Sequence, residues 1–255
     1  MARGVRYTRR MDTRAFRLAA VSALLYALAF NISFFVQELF LVLPKALTPG
    51  LHPVLYHNNH DWTGHRPLEN LFQGTGAVAT MLMGVAALSI VRRVEEPSLR
   101  LFLVWLAYHG VMLALPQFVI GAFVPANDVG RAMDWFGLPD VGNWALATLA
   151  IVAMLAVARR LAPDFVRFGP LSWTATLPAL IGTLLVIPFR VPGHPIEVVI
   201  VPLFVLAAGV PAMQLFGRRR AREEEVERPV LLVPALALLT LLFVFQFALR
   251  PGIAF

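Results

Sequence analysis

Residues 15–43 read AFRLAAVSALLYALAFNISFFVQELFLVL, 29 residues with one charge near each end and only four polar side chains between. A helix needs about 20 mostly apolar residues to cross the hydrocarbon core of a bilayer. The run is also far longer than the 7–15 apolar residues or so of a secretory leader, although Arg3, Arg6, Arg9, Arg10, Arg14 and Arg17 precede it. It is therefore read as a retained first membrane helix.

Six more segments of the same kind follow, at 71–91, 101–123, 144–157, 171–189, 196–216 and 230–249. The fold class expected is an all-α, polytopic membrane bundle of seven helices, forming a single domain over residues 1–255. Composition agrees: 58% of the side chains are hydrophobic and 15% charged, where soluble domains carry roughly a quarter charged. The fourth segment is the shortest, and only a Pro/Gly turn, Arg190–Pro195, parts the fifth from the sixth, so six helices remain an alternative.

The arginines choose between the two counts, because short cytoplasmic loops collect basic residues. With seven helices and the N-terminus inside, the inner segments hold the six N-terminal arginines, then Arg92, Arg93 and Arg100, then Arg159, Arg160 and Arg167, then Arg218, Arg219, Arg220, Arg222 and Arg228. The outer segments hold Lys45, Arg66, Arg131, Arg190 and Arg250. Seventeen of 22 basic residues thus fall inside. The expected topology is a cell-membrane protein with a cytoplasmic N-terminus and an extracytoplasmic C-terminus. The net charge of +7 is spent on this clustering, and no nucleic-acid partner is expected. Trp62, Trp135 and Trp144 fall at the outer interface and Trp173 at the inner one, while Trp105 lies deeper, between helices.

Polar side chains in the spans point toward the outer half. Asn31 and Glu38 share one face of the first helix, with Gln37 beside them. Glu69, Gln73, Gly76 and Thr80 share a face of the second, where Gly76, Thr80 and Gly84 also form a small-residue ladder suited to close helix packing. His109 and Gln117 lie on the third, around Pro116. His194 and Glu197 begin the sixth and Gln246 ends the seventh. Residues 127–137 carry Val129, Ala132, Met133 and Phe136 at helical spacing, which predicts a short interfacial helix capped by Asn127 or Asp128. Asp128, Asp134 and Asp140 read as caps and solvated turns.

The outer loop 44–70 holds the densest chemistry. Four of the six histidines, His52, His57, His60 and His65, lie within fourteen residues, in the company of Asp61, Glu69 and Asn70. Cysteine is absent, so a zinc, iron or copper cofactor has to be held by histidine and carboxylate. His57, His60, His65 and Asp61 are the candidate metal ligands, and Glu38, Glu69 and His109 the candidate catalytic acids and bases. The plainer reading is that these side chains hydrogen-bond their own turns and lipid headgroups.

Three functions follow. One is a membrane enzyme acting on a lipid or other small, membrane-embedded substrate at this His/carboxylate site. Another is a transporter or channel whose outward-facing cavity is lined by Asn31, Glu38, Gln73, His109 and Gln117. The third is a non-catalytic assembly subunit whose partners are the bilayer and other proteins. A retinal Schiff base is set aside on the ground that no lysine lies within any helix.

Overall fold

The computed structural model describes residues 2–190, 195–217 and 230–255. His194 and the charged residues of 218–228 lie outside them, as does the side chain of Glu197. Twelve elements follow in chain order: α1 (Ala2–Ala46), β1 (His52–Leu55), β2 (His60–Thr63), α2 (Glu69–Phe72), α3 (Thr75–Ile90), α4 (Pro97–Phe123), α5 (Asp128–Trp135), α6 (Asp140–Val166), α7 (Leu177–Val186), α8 (Pro195–Gly217), α9 (Leu232–Val244) and β3 (Ile253–Ala254). Seven helical stretches are long and apolar enough to cross a membrane, built on α1, α2 with α3, α4, α6, α7 with its flanking turns, α8, and α9 with the turn after it. The chain is a multi-pass membrane bundle.

α1 and α4 form its interior. α1 packs against α3, α4, α7 and α9, and α4 against α1, α3, α6 and α8. Both are largely buried, whereas α6 and α9 present most of their apolar surface outward. Such a surface is stable against lipid and not against water. Trp105 of α4 is fully buried, as its sequence position implied, and donates through Nε1 to Ser22 Oγ at 2.9 Å.

Prolines inside the helices explain several cross-links. Proline has no N–H, so the carbonyl four residues earlier loses its helical donor. Pro178 strips Thr174 in this way, within the π-helical turn Ser172–Thr176, and Ser22 Oγ donates to that carbonyl at 2.7 Å. Pro44 strips Phe40, whose carbonyl accepts from Thr75 Oγ1 at 2.5 Å. Because that carbonyl is satisfied from α3, α1 runs through Pro44 to Ala46. Lys45 therefore lies in the last turn of a helix, which corrects the premise that no helix contains a lysine.

The small-residue ladder packs as expected. A Cβ on Gly84 would stand 3.0 Å from the Gly110 backbone, and one on Gly110 would stand 2.6 Å from Gly84 Cα, so α3 and α4 touch main chain to main chain. Gly76 meets α1 in the same manner, at Gln37 and Leu41.

Several boundaries differ from expectation. α6 extends to 140–166 rather than 144–157, because its arginines continue the helix. Arg160 pairs with Asp164 one turn on at 2.6 Å, and Arg92 reaches the same carboxylate at 3.8 Å. The loop 44–70 is not irregular. β1 and β2 form an antiparallel hairpin with Pro53 opposite Trp62, and β3 adds to the other edge of β1 with Val54 opposite Ala254. The sheet order is β2-β1-β3, so the first long loop and the residues following α9 meet at one end of the bundle. An odd number of crossings requires this.

Candidate acid–base site at the sheet end

The hairpin turn lies over α7. Phe189 and Arg190 end the 3-10 turn Ile187–Arg190 that prolongs this helix, and their carbonyls face the hairpin. His57 Nε2 bonds the Phe189 carbonyl at 2.8 Å, and the Asn58 amide donates to that of Arg190. A carbonyl only accepts, so Nε2 carries the proton and donates. Gln246 reaches the Phe189 carbonyl at 3.4 Å. His57 and Asn58 thus cap a helix end across the fold. Burial pushes the His57 imidazole below its ordinary range, and the charges of Arg190 and Arg250 add to the effect.

His60, three residues on, has a different partner. Its Nδ1 lies 2.7 Å from Glu38 Oε2, with both side chains almost wholly buried, and its Nε2 has no hydrogen-bond partner. Glu38 comes from α1 and His60 from β2, so the pair ties the sheet to the bundle. Trp62, two positions along the same face of β2, stacks its ring on His60 with centroids 5.7 Å apart. Lys45 Nζ sits 4.5 Å over that indole and donates to the Leu41 carbonyl at 2.9 Å. Arg131 of α5 lies 5.9 Å from the ring. The only lysine of the chain is fully buried here.

Asp128 completes the group. The N-cap of α5 is Asn127, whose side chain accepts from Gly130 N at 2.6 Å. Asp128 is not the cap; it is half-buried, within electrostatic reach of Glu38, His60, Lys45 and Arg131. Burial pushes its carboxyl upward and Glu38 adds to this, while His60, Lys45 and Arg131 oppose it. Two acids, two cations and an imidazole therefore share one partly enclosed site contributed by α1, β2 and α5.

The other candidates lie apart from it. His65 is exposed and meets Glu69 Oε1 at 3.3 Å, and Glu69 Oε2 accepts from the Arg66 N–H at 2.9 Å, so this pair braces the entry to α2. Asp61 Oδ1 accepts from the Trp62 N–H at 2.8 Å on an exposed edge. His109 is fully buried among Tyr26, Phe30, Trp105 and Tyr108, with ring centroids 4.4–6.0 Å away, and touches none of the charged groups above. Among the described residues no three of His, Asp and Glu come together to hold a metal ion. His57 spends its Nε2 on a carbonyl, His60 its Nδ1 on Glu38, and His65 stands at the rim.

Of the residues expected to line a half-channel, Asn31, Glu38 and Gln117 have hydrogen-bond partners, while Gln73 Oε1 and both His109 ring nitrogens are buried without one among the described residues. Asn31 donates to Ala27 O at 2.8 Å in its own helix, and Gln117 donates to Gln37 at 3.0 Å. A cleft of about 540 Å³ opens instead over the hairpin turn, walled by residues 56–61 and Arg250. His60 belongs both to this wall and to the buried pair.

The chain matches no family model, no curated protein and no solved structure. The functional reading rests on the site itself.

Proposed function

We propose that this multi-pass membrane protein is an enzyme whose acid–base centre is the Glu38–His60 pair, acting on a membrane-embedded substrate admitted through the cleft over the hairpin turn. The observation that carries the proposal is the buried 2.7 Å contact between Glu38 Oε2 and His60 Nδ1 beside an unpartnered Nε2. A carboxylate that holds one imidazole nitrogen fixes the ring and its tautomer, leaving the other nitrogen to take a proton from water or from a substrate hydroxyl. Lys45 and Arg131 offset negative charge that develops nearby. Asp128, raised by burial, is suited to return a proton. The chemistry is assigned to these side chains and takes no step through a metal.

The arginine asymmetry supports placing the protein in the cell membrane with its N-terminus in the cytoplasm and this site on the outer face.

The test is to reconstitute the purified protein in vesicles of the host's total lipid extract and compare lipid species by mass spectrometry before and after incubation. The wild type is expected to convert at least one species. Glu38→Gln and His60→Gln are expected to do so about 10²–10⁴-fold more slowly, the usual worth of a positioned general base, when assayed below the unfolding temperature of each variant. Absence of any conversion by the wild type, or equal turnover by both variants, overturns the proposal.

A further inference from the structure

The cleft carries a charge pattern that the acid–base pair does not use. Arg250, the residue after the last span, and Asp61 of β2 both line it. Arg250 bonds Gln246 Oε1 at 3.2 Å through a single nitrogen. A guanidinium has five N–H donors, so most of this one's capacity remains for a ligand. Asp61 spends one oxygen on the Trp62 N–H. Elsewhere on the wall, burial holds the His57 imidazole below its ordinary range and the Asn58 amide is committed to the Arg190 carbonyl.

We propose that this cleft binds the headgroup of an amine-bearing phospholipid of the phosphatidylethanolamine class, the phosphate on Arg250 and the ammonium on Asp61. This names the substrate class of the site proposed above and rests on that reading only for what becomes of the lipid once bound. A cation and a carboxylate facing one cavity match a zwitterion better than an anion, because a purely anionic headgroup would meet Asp61 unpaired. Guanidinium suits phosphate through its paired N–H donors. A primary ammonium has N–H groups for a carboxylate to accept, whereas a quaternary one has none. The cleft volume of about 540 Å³ falls within the 300–1,000 Å³ or so of ordinary ligand sites.

The source of the headgroup is decided by what lies beneath Arg250. Phe243 of α9 and Phe247 of the turn after it are exposed, rings 4.5 Å apart, and Phe255 is exposed beyond them. A π-helical turn, Phe245–Leu249, follows α9, and the Arg250 N–H bonds back to Phe245 O at 2.8 Å. That turn sets the guanidinium at the end of an apolar, outward-facing strip. Acyl chains can lie along the strip while the headgroup enters the cleft, which a soluble phosphoamine could not exploit.

Native mass spectrometry of the detergent-solubilised full chain, titrated with phosphatidylethanolamine, phosphatidylglycerol and phosphatidylcholine of identical acyl chains, tests the proposal. Phosphatidylethanolamine is expected to bind at least about tenfold more tightly than the other two, the effect of one charge-assisted contact. Arg250→Gln is expected to lose that affinity about tenfold, Arg250→Lys to keep most of it, and Asp61→Asn to reduce phosphatidylethanolamine to the level of phosphatidylcholine. Glu38→Gln should bind like the wild type, so loss of turnover and loss of binding are read separately. Equal affinity for the three lipids, binding indifferent to Arg250→Gln in a folded protein, or displacement by soluble phosphoethanolamine at the lipid's own concentration overturns the proposal.

Discussion

Trp62 holds two cations with one ring. Lys45 has no exposure, and its ammonium is held by the Leu41 carbonyl, the indole face at 4.5 Å and the charges of Glu38 and Asp128. A desolvated cation over an indole gains about 2 kcal/mol or more. Trp62→Leu keeps an apolar side chain on β2 but removes this π-face, so it is expected to destabilise the protein by about 2 kcal/mol, read as a fall in unfolding temperature in detergent. His57 gives a second expectation at this scale. Its imidazole is held neutral below the ordinary value of 6.5, so the unfolded chain takes up a proton before the folded one does. The stability contributed by its cap is present above pH 6.5 or so and is lost as the pH falls through the folded value. Unfolding temperature measured from about pH 8 down to about pH 5 should drop on the acid side, and His57→Gln should flatten that drop. The role of His57 was not legible beforehand, since its partner, the Phe189 carbonyl, lies 132 residues away. Glu38 was more legible, because a carboxylate near the end of an apolar helix must find a partner and the nearest polar segment is the histidine loop.

The helices and the hairpin differ in how plainly they are written. A membrane helix is announced by some twenty apolar residues in a row, a signal that survives single exceptions such as Asn31 or His109. Its ends are announced less clearly. α6 runs on through Arg159 and Arg160 because an i,i+4 ion pair with Asp164 sustains it, while apolarity alone stops at Val157. The strands are four, four and two residues long, and β3 is nearly two hundred residues from β1. No local pattern of that length distinguishes a strand from a polar loop, and the pairing depends on the bundle bringing both segments to one end. Contact between α3 and α4 depends on Gly84 and Gly110, where a methyl group at 110 would lie 2.6 Å from both Gly84 Cα and the Thr80 carbonyl. Neither obstacle is a flexible side-chain tip, so the helices must separate. Gly110→Ala is expected to destabilise the protein by roughly 1–3 kcal/mol, the usual cost of overpacking, whereas Gly142→Ala, whose added methyl would meet nothing closer than 3.5 Å, should leave the unfolding temperature almost unchanged.

At the scale of the whole molecule, the arginine-rich segments and the proposed chemistry occupy opposite ends. Arg92 and Arg93 follow α3, Arg100 opens α4, and Arg159, Arg160 and Arg167 close α6, all at the end away from the sheet. Lys45, Arg66, Arg131, Arg190 and Arg250 lie at the sheet end, where Lys45 and Arg190 are buried and Arg131 flanks Trp62. Arginine-rich segments resist translocation, which supports the proposed placement of the cleft, the Glu38–His60 pair and the sheet on the far side from the cytoplasm. Cysteine is absent from the chain, which makes the orientation directly measurable with single-cysteine variants and no background. Asn59→Cys, on the exposed hairpin turn, is expected to react with a membrane-impermeant maleimide in intact cells. Arg93→Cys, at the opposite end, is expected to react only after the membrane is opened. The reverse labelling pattern would place the cleft in the cytoplasm and with it the headgroups of the inner leaflet as the available ligands, whereas labelling of both positions in intact cells would require an even number of crossings between residues 59 and 93, against the single span formed by α2 and α3.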